Sequence, residues 1–429
     1  MSLAADVIAP AAIPPLVARS EIVDDGHPFA AAALLDLLPA QGGLAWVRDG
    51  AGLIGWGEAA RLVVSGRERF SRAQRWWADV VRAADIHDGV HLNGSGIAAF
   101  VSFAFEPGRS VVVIPNVIVG RRDGVTWVTV ISQPGEVQID PRLIFDAHAT
   151  PSTTGTISWE EGTQPASRWQ RSVADAVERI NRGEVDKVVL ARDIVGRSSQ
   201  PLDIRTILNR LSDRYSECWA FAVDGLVGAT PELLVRRRGD LVTSRVLAGT
   251  IRRGKDQSAD EGLAEELLAS DKDREEHEYA VTSVAEALAA HCTDLDVPEE
   301  PRLLRLANVQ HLATDVNGRL ADEVPVLALA ASLHPTAAVC GTPTQRAWNL
   351  IRALEGMDRG RYAGPVGWMD AHGDGELGIA LRCGEIDSSD PYRIRLFAGC
   401  GLVAGSDPVA ELAETNAKLE PMRFALSSD

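Results

Sequence analysis

Five apolar segments of strand length follow one another early in the chain, at residues 43–48, 53–58, 96–105, 110–119 and 124–131. Turn-forming residues such as Arg48-Asp49-Gly50 and Asp123-Gly124 separate them. Asp-Gly between apolar runs returns the backbone on itself, because both residues tolerate the left-handed conformation that tight hairpins need. The succession predicts a large antiparallel sheet, with one short helix over 29–38. Residues 1–20 are rich in Ala and Pro and are expected to be loose. Residues 147–167, rich in Thr, Ser, Gly and Pro, read as a linker or surface loop.

From about residue 168 helices alternate with strands. Apolar periodicity predicts helices over 172–182, 204–215, 260–291 and 325–332. Strands are predicted over 187–194, 218–227, 377–386 and 393–403, with a hairpin over 233–245 turning at Gly239-Asp240. Thr342-Pro343 starts a further helix, with Thr342 as its cap and Pro343 at its first position. Asp407-Pro408 caps a last helix running to about residue 419. A chain of 429 residues predicts one large domain or two. It divides into a loose segment 1–20, a β-rich part 21–164 and a catalytic part 165–426.

A net charge of −17 argues against nucleic acid or an anionic membrane as partner. It leaves room for an anionic small molecule in a local cationic pocket. The five cysteines are scattered and never spaced C-x-x-C, so neither a disulfide framework nor a zinc site is expected. A cytoplasmic setting fits that usage. No run of apolar residues is long enough to span a bilayer.

Two acid pairs stand out. Asp273 and Glu276 are three apart on a predicted helix, as are Glu411 and Glu414 on the last one, so each pair shares a helix face. Taken alone, each pair reads first as a solvated helix face and second as oxygen ligands for a hard cation; Lys418 could also just pair with Glu414. The Gly399-Cys400-Gly401 stretch, read as a turn, lets backbone N–H groups approach a carboxylate. Lysine is scarce: only Lys187, Lys255, Lys272 and Lys418 occur. Lys187 opens an apolar strand, either as a snorkelling edge residue or as an amine whose charge is destabilised. Glu232 stands beside Leu233-Leu234, where burial would favour the protonated acid and exposure would not. Leu247-Ala248-Gly249-Thr250 reads as a small-residue turn. Arg382, within an apolar strand, is either a carboxylate clamp or a structural ion-pair partner.

Taken in order, these segments resemble the chorismate-utilising enzyme family. The resemblance runs from about residue 165 to 426. It is carried by Asp186-Lys187-Val188-Val189-Leu190-Ala191-Arg192, Thr230-Pro231-Glu232-Leu233-Leu234, Leu247-Ala248-Gly249-Thr250, Lys272-Asp273-Arg274-Glu275-Glu276-His277, Leu333-His334-Pro335-Thr336, residues 362–368, Ala380-Leu381-Arg382-Cys383, and Ala398-Gly399-Cys400-Gly401 followed by Glu411 and Glu414-Thr415. It implies an α+β fold of two large, mainly antiparallel sheets packed together with helices outside, the N-terminal strands joining the same body. Lys187 and Ala338 resemble the family's water-using, isochorismate-forming branch; ammonia users carry other residues there. Ala337 stands where proline is usual, and Cys400 where alanine is usual.

The resemblance implies roles. Lys187 would be the base that activates water, and Glu232 the acid that protonates the leaving hydroxyl. Mg²⁺ would bind Glu276 and Glu414 directly, with Asp273 and Glu411 supporting through water. Tyr362, Arg382 and the backbone at Gly399 would hold the enolpyruvyl carboxylate. Gly249, Thr250 and His311 would line the ring, with Ala338, Gly401 and Lys418 also in the substrate site. The expected partner is chorismate alone, with no amidotransferase, and the expected state is a monomer. The product would feed menaquinone or siderophore synthesis. Two rivals are a salicylate synthase, which goes on to eliminate pyruvate, and a catalytically silent metal-binding module.

Overall fold

A strand without polar alternation must be covered on both faces. In the computed structural model, which describes residues 15–136, 151–152 and 155–427, the Leu44–Arg48 and Trp219–Val223 strands show how this is met. Trp46 and Phe221 enter a core shared with Phe100 and Trp368 of a second sheet. Their neighbours Ala45, Val47, Ala220 and Ala222 enter another core on the opposite face. Ile207, Leu211, Leu419 and Met422 of the Ile204–Arg214 and Pro408–Leu426 helices fill that second core.

The fold is α+β. One sheet has 13 strands and the other 10, and they pack face to face with helices outside. Among the described residues every strand pair is antiparallel except Val17–Ile22 with Asp85–Asp88. Both sheets draw strands from both ends of the sequence. Ala220 pairs with Val47 in the larger sheet, and Trp368 pairs with Phe100 in the smaller. The Asp271–Ala289 helix packs on the smaller sheet against the Leu241–Arg252 strand.

Several elements differ from the sequence reading. Residues 17–20, placed in the loose segment, belong to the Val17–Ile22 strand, paired on both sides; residues 1–14 lie outside the described residues. The segment 29–38 is a single turn, Pro28–Ala31, followed by a 3-10 turn, Leu34–Leu37. Pro115 lies between two strands, Ser110–Ile114 and Val117–Arg122, that were read as one. The Arg69–Ala83 helix was not anticipated, although Phe70, Ala73, Trp77 and Val80 form its buried stripe. The helix expected over 260–291 is two, Gln257–Ala269 and Asp271–Ala289, parted at Ser270. Thr342 pairs with Lys187 in a two-residue strand, so Pro343 takes the cap position of the Thr344–Leu354 helix. The last helix continues through Pro421 to Leu426.

No helix among the described residues is long and apolar enough to cross a membrane. The five cysteines are unpaired.

Candidate active site

Two of the chain's passages between the sheets lie side by side. The Leu226–Thr230 strand lies in the larger sheet and Leu233–Arg238 in the smaller, so Pro231-Glu232 is the crossing. The Gly375–Ile379 strand lies in the smaller sheet and Cys383–Asp387 in the larger, so Ala380-Leu381-Arg382 is the return. Arg382 is therefore not inside a strand, as the sequence suggested; it bends the chain with φ +48°. The Thr230 hydroxyl donates to the Ile379 carbonyl at 2.6 Å, and Ile379 N–H donates to the Glu232 carbonyl at 3.2 Å, tying the two crossings together.

Beside these crossings lies a cavity, about 680 Å³ when the open solvent at its mouth is included. Glu232, Gly249, Thr250, Glu276, His311, Ala338, Tyr362, Arg382, Gly399, Gly401 and Lys418 line it. Lys187, Asp273, Glu411 and Glu414 do not line it; Lys187 and Glu414 pair with the lining residues Glu276 and Lys418. Gly249 is no turn: it is a bulge within the Leu241–Arg252 strand, at φ +71°, where the register with the Val309–Leu320 strand shifts. Gly399 and Gly401 likewise sit inside the Asp390–Leu402 strand and not in a turn. A β-carbon on Gly401 would fall 2.0 Å from Glu276 Oε1 and 3.0 Å from Lys187 Cε, so only glycine lets that ion pair reach the strand.

Arg382 and His311 form one device. Arg382 Nη2 lies 3.1 Å from His311 Nε2. A guanidinium only donates, so Nε2 accepts and the imidazole proton sits on Nδ1. Nδ1 faces the Gly249 carbonyl at 3.3 Å and Thr250 Oγ1 at 3.1 Å. Burial, then the charges of Arg382 and Lys418, hold His311 well below the ordinary histidine range, so the ring stays neutral. Arg382 Nη1 is buried and has no partner, an unspent donor at the cavity wall. Tyr362 stacks on Phe397 with ring centroids 5.2 Å apart. Its hydroxyl lies 3.2 Å from the β-carbon position of Gly399.

Burial raises the Glu232 carboxyl to about 8, although Lys187, Lys418 and Arg382 pull the other way. At neutral pH it is an acid that still holds its proton. Lys187 is fully buried, with Nζ 3.2 Å from Glu276 Oε1 and 3.3 Å from the Glu276 carbonyl. It is therefore no snorkelling edge residue. Burial works against the charge on Glu276; Lys187 and Lys418 outweigh it and hold that carboxyl below its usual range. Lys418 Nζ bridges Glu414 at 2.6 Å and donates to the Gly399 carbonyl at 3.0 Å.

Among the described residues no three acidic, histidine or cysteine side chains converge into a ready-made metal site. The donors nevertheless suit a hard cation. Burial and the repulsion of Glu414 push the Glu411 carboxyl up. Burial, offset by a hydrogen bond from Ser270 and joined by the repulsion of Glu276, pushes Asp273 up. Glu411 Oε2 is buried without a hydrogen-bond partner, although Ser406 and the Cys400 thiol are near. Crowded carboxylates with an orphaned oxygen gain from a divalent ion that brings charge and coordination together.

Three contributors escaped the sequence reading. Lys272 bridges Glu411 at 2.9 Å. Ser270 caps the Asp271–Ala289 helix through Asp273 N–H at 3.2 Å, and its hydroxyl donates to Asp273 Oδ2 at 2.5 Å. The buried Glu355–Arg359 pair holds the wall: Glu355 accepts from Ala191 N–H at 2.8 Å, and Arg359 donates to the Val189 and Val339 carbonyls at 2.8 Å each. The scarcity of lysine was a signal for Lys272; an i,i+4 Glu–Arg pair was the only one for Glu355 and Arg359.

The chain is 38% identical over 265 residues to the isochorismate synthase MenF of Bacillus subtilis, covering 61% of this chain and 56% of that protein. It is 36% identical over 413 residues to the salicylate biosynthesis isochorismate synthase of Pseudomonas aeruginosa, covering 90% and 85%. The structure of DhbC from Bacillus anthracis superposes with a TM-score of 0.75 at 31% identity, covering 92% of this chain and 98% of that one. The family model for chorismate binding enzymes matches residues 44–427. A cavity beside two sheet crossings, lined by one protonated carboxyl, a guanidinium with an unspent donor and a glutamate that a buried lysine holds charged, is thus the site of a chain that belongs to the chorismate binding enzyme family.

Proposed function

We propose that this chain converts chorismate to isochorismate, adding water at ring carbon 2 and expelling the hydroxyl of carbon 4. The observation that carries the reading is Glu232, a buried carboxyl raised to about 8 in the wall of the cavity. Hydroxide leaves poorly, so the C4–O bond needs a proton donor as it breaks, and a carboxyl that is protonated at neutral pH supplies one. Lys187 takes a proton from the attacking water as the C2–O bond forms and the ring double bonds shift. One proton is taken and one given, so the reaction is an isomerisation, and the proton returns from Lys187 to Glu232 between turnovers.

Arg382 holds a substrate carboxylate through its unspent Nη1, and neutral His311 keeps the guanidinium aimed. Mg²⁺, held by Glu276 and Glu414 with Asp273 and Glu411 behind them, would neutralise the ring carboxylate and relieve Lys187 of its counter-charge. With water as nucleophile, no ammonia-supplying partner is required. The test is product analysis after incubation with chorismate and Mg²⁺. Isochorismate alone is expected; salicylate fluorescence would move the chain to the pyruvate-eliminating class. Full isochorismate formation by a folded Lys187→Gln variant would overturn the base assignment, and activity that survives complete chelation would overturn the metal.

A further inference from the structure

Lysine occurs four times in 429 residues, and three of the four stand against glutamates of the acid pairs. Arginine does most of the cationic work elsewhere in the chain. The two residues release carboxylates differently. Arginine grips with a planar fork and two parallel hydrogen bonds, while lysine makes a point contact on a flexible stem. A cation that must give way to another is better made of lysine.

The three lysines are not equally free to move. The side chains of Lys187 and Lys418 are 0% and 18% exposed, and that of Lys272 is 39% exposed. An ammonium released from Lys187 would be stranded in the core, whereas one released from Lys272 passes into water. Its partner Glu411 is fixed: the side chain is 2% exposed, with Oε2 buried and unpartnered. The bridge also joins two elements, since Lys272 lies in the first turn of the Asp271–Ala289 helix and Glu411 in the first turn of the Pro408–Leu426 helix.

We propose that Lys272 is a displaceable counter-cation of the acid pairs. It holds Glu411 in place, ties the two helices together before a divalent cation binds, and swings into solvent when the cation arrives. The inference rests on the metal reading above and adds to it a residue that competes with the ion. It accounts for four carboxylates that belong to one site and yet do not converge: lysines stand among them. The device keeps a dense acidic cluster from repelling itself apart and makes the ion exchangeable.

The test is calorimetric titration of MgCl₂ into the full chain, Lys272→Gln and Lys272→Arg, at pH 8 so that a proton does not take the lysine's place. Thermal melts with and without Mg²⁺ accompany it. Removing one positive charge from the cluster is expected to tighten Mg²⁺ binding roughly tenfold in Lys272→Gln. That variant should melt below the parent without metal and gain more from adding it. Lys272→Arg, which keeps the charge and grips harder, should bind Mg²⁺ more weakly than the parent. Mg²⁺ binding by Lys272→Gln equal to or weaker than the parent's would overturn the role of Lys272 and leave the metal site standing. No Mg²⁺ binding by the parent chain would overturn the metal site, and this inference with it.

Discussion

Glu232 and Glu276 carry the same carboxyl, and only their surroundings set them apart. Glu232 is buried and Glu276 partly so, but Glu276 has Lys187 at 3.2 Å and stays charged, while Glu232 has no such contact and keeps its proton. Two carboxyls with opposite protonation can serve one reaction. Glu232→Gln should lower kcat by about 10²–10⁴-fold, read by isochorismate formation, with the parent's activity falling as pH rises through about 8. The same shift has a sign in stability. The folded state holds the Glu232 proton up to about 8, the unfolded chain only to about 4.5. Between these values the folded state binds the extra proton, so the stability linked to this group is whole below about 4.5 and is lost as pH rises toward 8. Melting temperatures of the parent and Glu232→Gln should therefore diverge in favour of the variant across that window. Arg382→Lys keeps the charge but loses the fork that meets His311 and, in the proposed reaction, would meet a substrate carboxylate. Its KM should rise by about 10–100-fold with a smaller change in kcat, and steady-state kinetics separate the two.

Elements were legible where one rule decided them. The Asp407 cap, the Gly239-Asp240 turn and the strand opening at Lys187 follow from short-range chemistry and stand as read. The misreadings at the site have a cause outside the local sequence. Residues 377–386 look like a single strand because each half is apolar, yet the halves belong to different sheets, and only the fold shows that Ala380–Arg382 is a passage between them. Gly249 and Gly401 look like turn glycines, while the real constraint on Gly249 is a positive φ at a strand bulge and that on Gly401 is Glu276 from a distant helix. The site residues themselves were read by resemblance, since no local pattern separates an acid pair on a helix from a solvated face. Two element-scale outcomes follow. Gly401→Ala places its methyl where Glu276 Oε1 now sits, so the Lys187–Glu276 pair must part; activity should fall about a hundredfold while circular dichroism shows the fold retained. Ser270→Ala removes the cap that divides the two helices and should cost about 1 kcal/mol in urea denaturation.

On the scale of the whole molecule, the two ends of the sequence share both sheets. Cutting the chain before residue 155 would bare the Trp219–Val223 strand, whose partner is Leu44–Arg48, and the Pro365–Asp370 strand, whose partner is Ala98–Ser102. Unpaired central strands template aggregation. The truncated chain should elute in the void volume on gel filtration and melt without a cooperative transition. The pairing of Lys187–Ser198 with Asp390–Leu402 carries a further consequence, in time. A ribosome adds about 5–20 residues per second. The strand bearing Lys187 therefore waits on the order of ten seconds or more for the partner that makes it a wall of the cavity. Until then a lysine meant for the core is exposed to water, and its apolar neighbours have no lasting cover. Catalytic competence arrives only when nearly the whole chain has been made, so a nascent fragment released early would hold much of the larger sheet and no working centre.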